Sequence, residues 1–466
     1  MRAVAAKGAP GMLAAAGWCA ACWPFLQHLF RRAAVPEELG SVLLAAGTAL
    51  WLVWRGRAVR VGLSSAGDEA GCWWRGALAM LIYGVAGQRV PQTVAGVAAL
   101  SAGLLAPGPW RRGRWPDPAV AGLLLLALPA MMMVELFFGY PLRLAAAALA
   151  SGLLAAAGLP VTRAGAVLAW QGAGVWVDAP CSGVRMLWSG AWLGLTVCGL
   201  VGMGWGGTLA AGLLTVATVI LVNSLRVAGL ALVEGGLLPT GPGFHAALGV
   251  MLFAAGAVVL VAGIRRLARL PGLARPATSF AGSQPSTGAG PGAGHRSRYA
   301  IAFYLLASLC AMAMGTERHL PSDTEAAPFP GWPSRFEGLP LRETPLTERE
   351  AAFNTAFPGR IARFANGERV VILRWVRHPT HRVHSAADCL RSAGWHITYE
   401  ALIVVPDGDW SSFTATRNGK TLRIRERCSG ETGKNWPDVS SWFWSALAGR
   451  TRGPWWVVTV VGPSVP

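Results

Sequence analysis

What constrains this chain most is a succession of ten apolar stretches, at 11–30, 39–54, 72–87, 91–106, 119–140, 142–159, 185–204, 208–233, 245–264 and 299–314. A bilayer core takes about 20 helical residues to cross, so some of these are long enough to span and others suit re-entrant or surface-lying segments. In lipid every backbone N–H and C=O must be paired within the protein, which makes helices the spanning structure for this pattern. Composition agrees. Hydrophobic residues make up 53% of the chain and charged residues 14%, at a mean hydropathy of +0.42, whereas soluble domains carry about 25% charged residues. These values exclude a soluble enzyme.

Charge divides the chain. The first 270 positions hold 27 charged residues and the remaining 196 hold 37. The expected fold is therefore an all-α polytopic membrane helix bundle of 8–10 apolar segments, followed by a small extracytoplasmic α+β domain. The net charge is +18, from arginines scattered in ones to threes between apolar runs. With no continuous basic face, they suit anionic membrane lipids and topology signals, and speak against nucleic acid as a partner. Arg2 and Lys7 before the first run resemble a signal peptide. However, Trp18, Trp23 and Phe25 make that run bulky and Arg31 and Arg32 follow it, so an uncleaved membrane helix is expected.

Arg265, Arg266 and Arg269 on one side of residues 271–295, with Arg296 and Arg298 on the other, assign this stretch to the cytoplasm. Its Gly/Pro/Ser composition predicts a flexible linker. Residues 315–466 then lie outside. Strands are expected there at 369–376, 396–405, 421–427 and 455–461, and short helices at 348–357 and 440–448.

In so apolar a chain the informative residues are polar ones in or beside the spans. Three groups qualify: Asp178-Ala-Pro-Cys181-Ser-Gly-Val-Arg185, Asn223-Ser-Leu-Arg226 and Gly243-Phe-His245. The topology sets Cys181 and His245 at the outer surface, with Arg226 about two turns before the outer end of its helix. A thiolate is a strong nucleophile, a histidine moves protons, and an arginine holds an oxyanion or a carboxylate. Each residue also has a plainer reading: Cys181 as a small apolar side chain, Arg226 as an interhelical donor or headgroup contact, His245 as an interfacial residue.

Ala-Pro-Cys181-Ser-Gly, Asn-Ser-Leu-Arg226 and Gly-Phe-His245, in that order and spacing, resemble the signature of the exosortase/archaeosortase family, membrane cysteine transpeptidases. Gly158-Leu-Pro-Val-Thr-Arg163 resembles the stretch before that family's nucleophile, and the likeness runs over roughly residues 15–265. One departure is Asp178, where the family often has a glutamate. The resemblance implies that Cys181 is the nucleophile, with Arg226 and His245 beside it, and that no cofactor or metal is needed. It implies substrates exported with a C-terminal sorting signal (a Pro-Glu-Pro-like motif, a helix and a basic tail), a glycan- or lipid-linked acceptor, and a place in the bacterial inner membrane with the C-terminal domain in the periplasm. The corresponding domains are 1–270 (catalytic), 271–298 (linker), 299–314 (a further membrane helix) and 315–466 (exterior domain).

In the tail, His384-Ser-Ala-Ala-Asp-Cys389-Leu-Arg-Ser-Ala-Gly394-Trp395 resembles the core of the exosortase-associated domain of exopolysaccharide loci. Read by residue type, His378, His381, His384 and Cys389 are a candidate metal set, although Pro379 disfavours a regular helix there. Cys389 and Cys428 are the two cysteines beyond the last apolar run, and a disulfide between them is expected in an oxidising compartment. Catalytic use of Cys389 with a nearby histidine is the alternative. Two rival functions remain for the whole chain: a transporter or polysaccharide-export subunit, with Asp178 and Arg226 lining a path, and a non-catalytic assembly scaffold. Against the first stand the lack of an inverted repeat and the scarcity of buried acidic residues besides Asp178, Glu135 being the one candidate.

Overall fold

Helix follows apolar run through the N-terminal part of the computed structural model, which describes residues 2–33, 36–56, 66–86, 92–107, 111–112, 115–159, 161–164, 166–170, 173–176, 182–234, 237, 244–274, 293–313, 328–354, 357–380, 382–406, 408–431 and 433–463. The helices are α1 (Arg2–Ala21), α2 (Trp23–Ala33), α3 (Pro36–Arg55), α4 (Ala66–Ala86), α5 (Gln92–Leu105), α6 (Pro118–Leu126), α7 (Met131–Ala156), α8 (Val184–Val201), α9 (Trp205–Glu234), α10 (Phe244–Leu267) and α11 (Ala293–Ala313). Two short strands, β1 (Arg111–Arg112) and β2 (Trp115–Pro116), precede α6, and β3 (Thr162–Ala164), β4 (Val167–Trp170) and β5 (Ala173–Trp176) form an antiparallel sheet between α7 and α8. Among the described residues, Met133–Ala156, Val184–Val201, Trp205–Val233 and Ala247–Leu267 are long and apolar enough to cross a membrane, and Met12–Ala21, Val94–Leu105 and Ser297–Ala313 are shorter apolar helices. The fold is a polytopic helical membrane bundle followed by a strand-rich α+β domain. Most of the expected linker, 275–292, lies outside the described residues.

One break falls elsewhere than the apolar runs predict. The runs divide at Pro141, whereas the chain breaks at Ala127–Ala130, around Pro129, and carries Pro141 inside α7. A proline within a helix removes the amide that would bond the carbonyl four residues back, here that of Phe137. The Trp444 indole Nε1–H donates to Phe137 O at 2.8 Å in its place. At the neighbouring rung the Ser440 hydroxyl accepts from Tyr140 N–H at 3.1 Å and donates to Leu136 O at 2.6 Å. The C-terminal domain thus supplies the polar partners that the interrupted helix lacks.

Two compact units emerge, neither continuous in sequence. One comprises Met1–Ala130, Trp188–Ala217 and Ala257–Pro321. Its cores gather Phe25, Ala77, Ala99, Ala102 and Tyr304 in one place and Leu123, Val197, Leu260 and Ile264 in another. Small residues let the helix backbones approach closely, which is how helices associate in lipid.

The other comprises Met131–Leu187, Thr218–Gly256 and Ser322–Pro466. There β4 packs Leu168 against Ala146, Ala147 and Ala150 of α7 and Val227 and Ala231 of α9. The C-terminal part runs β6 (Arg335–Phe336), β7 (Leu339–Pro340), β8 (Arg342–Thr344), α12 (Glu348–Asn354), β9 (Gly359–Asn366), β10 (Arg369–Val376), α13 (Ala386–Ser392), β11 (His396–Ile403), β12 (Trp410–Arg417), β13 (Lys420–Gly430), β14 (Asn435–Trp436), α14 (Val439–Leu447) and β15 (Trp455–Pro463). Its antiparallel sheet has the order β11-β12-β13-β15-β10-β9-β8, with β14 paired to β13. Trp442 and Phe443 of α14 pack with Cys428, Trp455 and Val457 of the sheet and with Leu136 of α7. Asp438, the N-cap of α14, accepts from Ser441 N–H and forms a 2.6 Å ion pair with Arg143 of α7. Burial works against the Asp438 charge, but Arg143 and the Ser441 hydrogen bonds outweigh it and hold the carboxyl below the usual carboxylate range.

Candidate active site

The head of α8 is shaped by Ser182 and Gly183. The Ser182 hydroxyl is buried and accepts from Val184 N–H at 3.4 Å, and Gly183 O accepts the first helical bond, from Leu187 N–H at 2.8 Å. Gly183 has φ +78°, in the left-handed region, and a Cβ there would stand 3.0 Å from Asn223 Cγ and Nδ2. Both the turn and the close approach of Asn223 require glycine. At the second residue of α8, Arg185 Nε lies 3.9 Å from Glu135 Oε1 of α7, an open ion pair worth little.

α9 carries Asn223 buried against that turn. Along the next stretch α9 and α10 run antiparallel: Val222 meets the Gly256 position, Arg226 meets Gly249, and Leu248 meets the Gly229 position. A Cβ on Gly249 would lie 3.2 Å from Arg226 Nε and 3.5 Å from Cζ. The absent side chain at 249 is what admits the guanidinium against α10. His245 lies one turn before Gly249 in α10, about 6 Å along the axis and on the same helical face. Arg226 Nε is buried and has no hydrogen-bond partner among the described residues.

These contacts gather the Cys181-following turn, Asn223, Arg226 and the His245 position into one region. Asp178 and Cys181 themselves lie outside the described residues. A half-buried guanidinium whose Nε–H has no partner among the described residues carries the donor chemistry that a carboxylate or an oxyanion takes up. Sequence reading singled out the Asn223–Arg226 motif without a role for its asparagine, and it missed Gly249. Its signal was a glycine four residues after His245.

In the C-terminal domain the expected disulfide is absent: Cys389 and Cys428 are both thiols. Cys428 is fully buried in the sheet core, and burial raises its pKa well above the usual thiol value, while Cys389 Sγ lies 2.7 Å from His384 Nε2. Of the candidate metal set, His381 lies outside the described residues. Among the described residues no three His, Cys, Asp or Glu side chains gather as a metal site.

A polytopic helical membrane bundle followed by a strand-rich α+β domain is the class that the fold defines. The family model for transmembrane exosortases matches residues 8–266, more than half of the chain, and the chain belongs to that family. No curated protein and no solved structure matches it.

Proposed function

We propose that this exosortase is a membrane cysteine transpeptidase or protease that cuts the C-terminal sorting signal of exported proteins, in the service of surface anchoring or exopolysaccharide production. Cys181 attacks the scissile carbonyl, passing its proton to His245. Arg226 holds the resulting oxyanion or a substrate carboxylate. Collapse of the intermediate breaks the C–N bond, His245 returns the proton to the leaving amine, and the N-terminal fragment remains as a Cys181 thioester. An amine on a glycan- or lipid-linked acceptor, or water, resolves the thioester. The observation that carries this reading is the buried Arg226 Nε, without a partner among the described residues and seated by Gly249 one turn from the His245 position.

Residues 1–270 form the catalytic domain in this reading, 271–298 a cytoplasmic linker, 299–314 a further span and 315–466 a periplasmic domain of the exosortase-associated type. The multi-pass chain resides in the bacterial inner membrane and meets anionic lipids through its arginines. Cys181→Ala should abolish substrate maturation, read as a mass shift, while leaving accumulation and insertion intact. Wild-type processing by that variant overturns the cysteine mechanism.

A further inference from the structure

A second thiol in the protein stands next to a base. His384 Nδ1 lies 2.9 Å from the Arg382 carbonyl and Nε2 lies 2.7 Å from Cys389 Sγ. A carbonyl only accepts, so Nδ1 carries the hydrogen and Nε2 presents its lone pair to the thiol. The imidazole is held firmly. Arg374 Nη1 donates to His384 O at 2.8 Å, and the buried Arg374–Glu426 pair closes at 2.7 Å. Glu426 Oε2 also accepts from Ala386 N–H at 2.9 Å and from the Thr459 hydroxyl at 2.9 Å, so one carboxylate ties the His384–Ala386 turn to β13 and β15. The Phe353 ring meets the imidazole edge-on, with centroids 5.1 Å apart.

The Cys389 side chain reaches the surface, while the protein packed around its sulfur, together with the charges of Asp388, Glu426 and Glu350, holds its pKa above the ordinary thiol value against the opposing pull of Arg374. The sulfur is therefore a protonated thiol at neutral pH that donates to Nε2. It depends on that base to become a nucleophile. Redox pairing with Cys428 is not made, since Cys428 is sealed in the sheet core.

We propose that Cys389 and His384 form a second nucleophilic site, a thiol that accepts an acyl group from a thioester. Sγ attacks the thioester carbonyl as Nε2 takes its proton. The new S–C bond forms, the bond to the donor sulfur breaks, and the imidazolium returns the proton to the departing thiolate. One thioester is exchanged for another with no net redox change, so a base for the attacking thiol is the main requirement. The donor that the proposed function supplies is the Cys181 thioester, and this identity rests on that reading. Asp388, beside Cys389 in α13, belongs to the same compact unit as Glu135 of α7 and Arg185 at the head of α8. Asp388 is pushed up to about 7, by burial first and then by Glu135.

The test uses the purified full-length Cys181→Ala chain in lipid nanodiscs, so that its outcome is independent of the first nucleophile. An acetyl-peptide mercaptoethanesulfonate thioester is the probe, and acylated cysteines are mapped by peptide mass spectrometry after acid quench. Cys389 should acylate at least tenfold faster than N-acetylcysteine added as a free-thiol reference at the same concentration. His384→Gln should slow it by about 10²-fold, and added imidazole should partly restore the His384→Ala variant. Acylation of Cys389 no faster than the N-acetylcysteine reference, or unchanged by His384→Gln in a chain of unaltered circular dichroism, overturns the proposal. Loss of maturation in Cys181→Ala is read separately, so failure of either idea leaves the other tested.

Discussion

Arg143 of α7 and Arg226 of α9 are both arginines set within apolar helices, and their surroundings differ in one decisive respect. Arg143 is almost fully buried and saturated: Nη2 meets Asp438 at 2.6 Å, Nε donates to Gly139 O, and the helix around it is completed by Ser440 and Trp444. Arg226 is half-buried and keeps a buried Nε–H with no partner among the described residues. Burying an unsatisfied donor costs about 1–3 kcal/mol, a cost tolerated where an incoming group removes it. The paired arginine therefore joins α7 to the C-terminal domain, and the other keeps a donor for the part the proposed reaction gives it.

The largest effect that sharpens this contrast is on stability. Asp438→Ala leaves Arg143 buried without its counter-charge and should cost about 3 kcal/mol or more, read as a lowered melting temperature and faster proteolysis of the C-terminal domain. Because the Asp438 carboxyl sits below its ordinary range in the folded chain, the pair's contribution is complete above about pH 4 and is lost only as pH falls through the lowered value. A domain that loosens between pH 7 and 5 for want of this pair contradicts the assignment.

Gly249→Ala acts on the other arginine. Its methyl would stand 3.2 Å from Arg226 Nε, displacing the guanidinium by a few tenths of an ångström. That should lower the maturation rate about tenfold while shifting stability by less than about 1 kcal/mol. Equal loss of both would make Arg226 a packing residue like Arg143. The smallest effect is at the interrupted helix. Trp444→Phe should cost about 1 kcal/mol by leaving Phe137 O unpaired. In a Pro141→Ala chain the helix regains its own amide for that carbonyl, so the same substitution should cost markedly less. Additive costs in this double-mutant cycle would break the link between proline and indole.

The two regions were not equally legible in the sequence. Asn223 and Arg226 were legible because lipid does not tolerate such residue types in an apolar run without reason, whereas Gly249, which seats Arg226, was missed. At α7 the apolar runs placed a break at Pro141 because the partners that make a proline tolerable lie about 300 residues away, in Ser440 and Trp444. Nothing local encodes them. Within the C-terminal domain β10, β11, β13 and β15 were readable from their β-branched and aromatic runs. β9 (GRIARFAN) and β12 (WSSFTATR) were not, because small and polar residues dilute the apolar face of each. The Cys389–Cys428 expectation failed for a related reason. Compartment and count suggest a pairing, but the fold seats one sulfur in the sheet core and the other beside His384.

The central claim, that Arg226 receives charge during the reaction, is tested most directly by the single-turnover rate of Cys181 thioester formation in an Arg226→Lys chain. The substrate is a peptide carrying a Pro-Glu-Pro-like motif, an apolar helix and a basic tail. Lysine keeps the charge and loses the planar fork of donors. The rate should fall by about 10²–10³, or roughly 2.7–4 kcal/mol, with insertion and melting unchanged. An Arg226→Lys chain that forms the thioester at more than about half the wild-type rate, far above that expected loss, would contradict the account and leave the arginine as one more helix-packing residue.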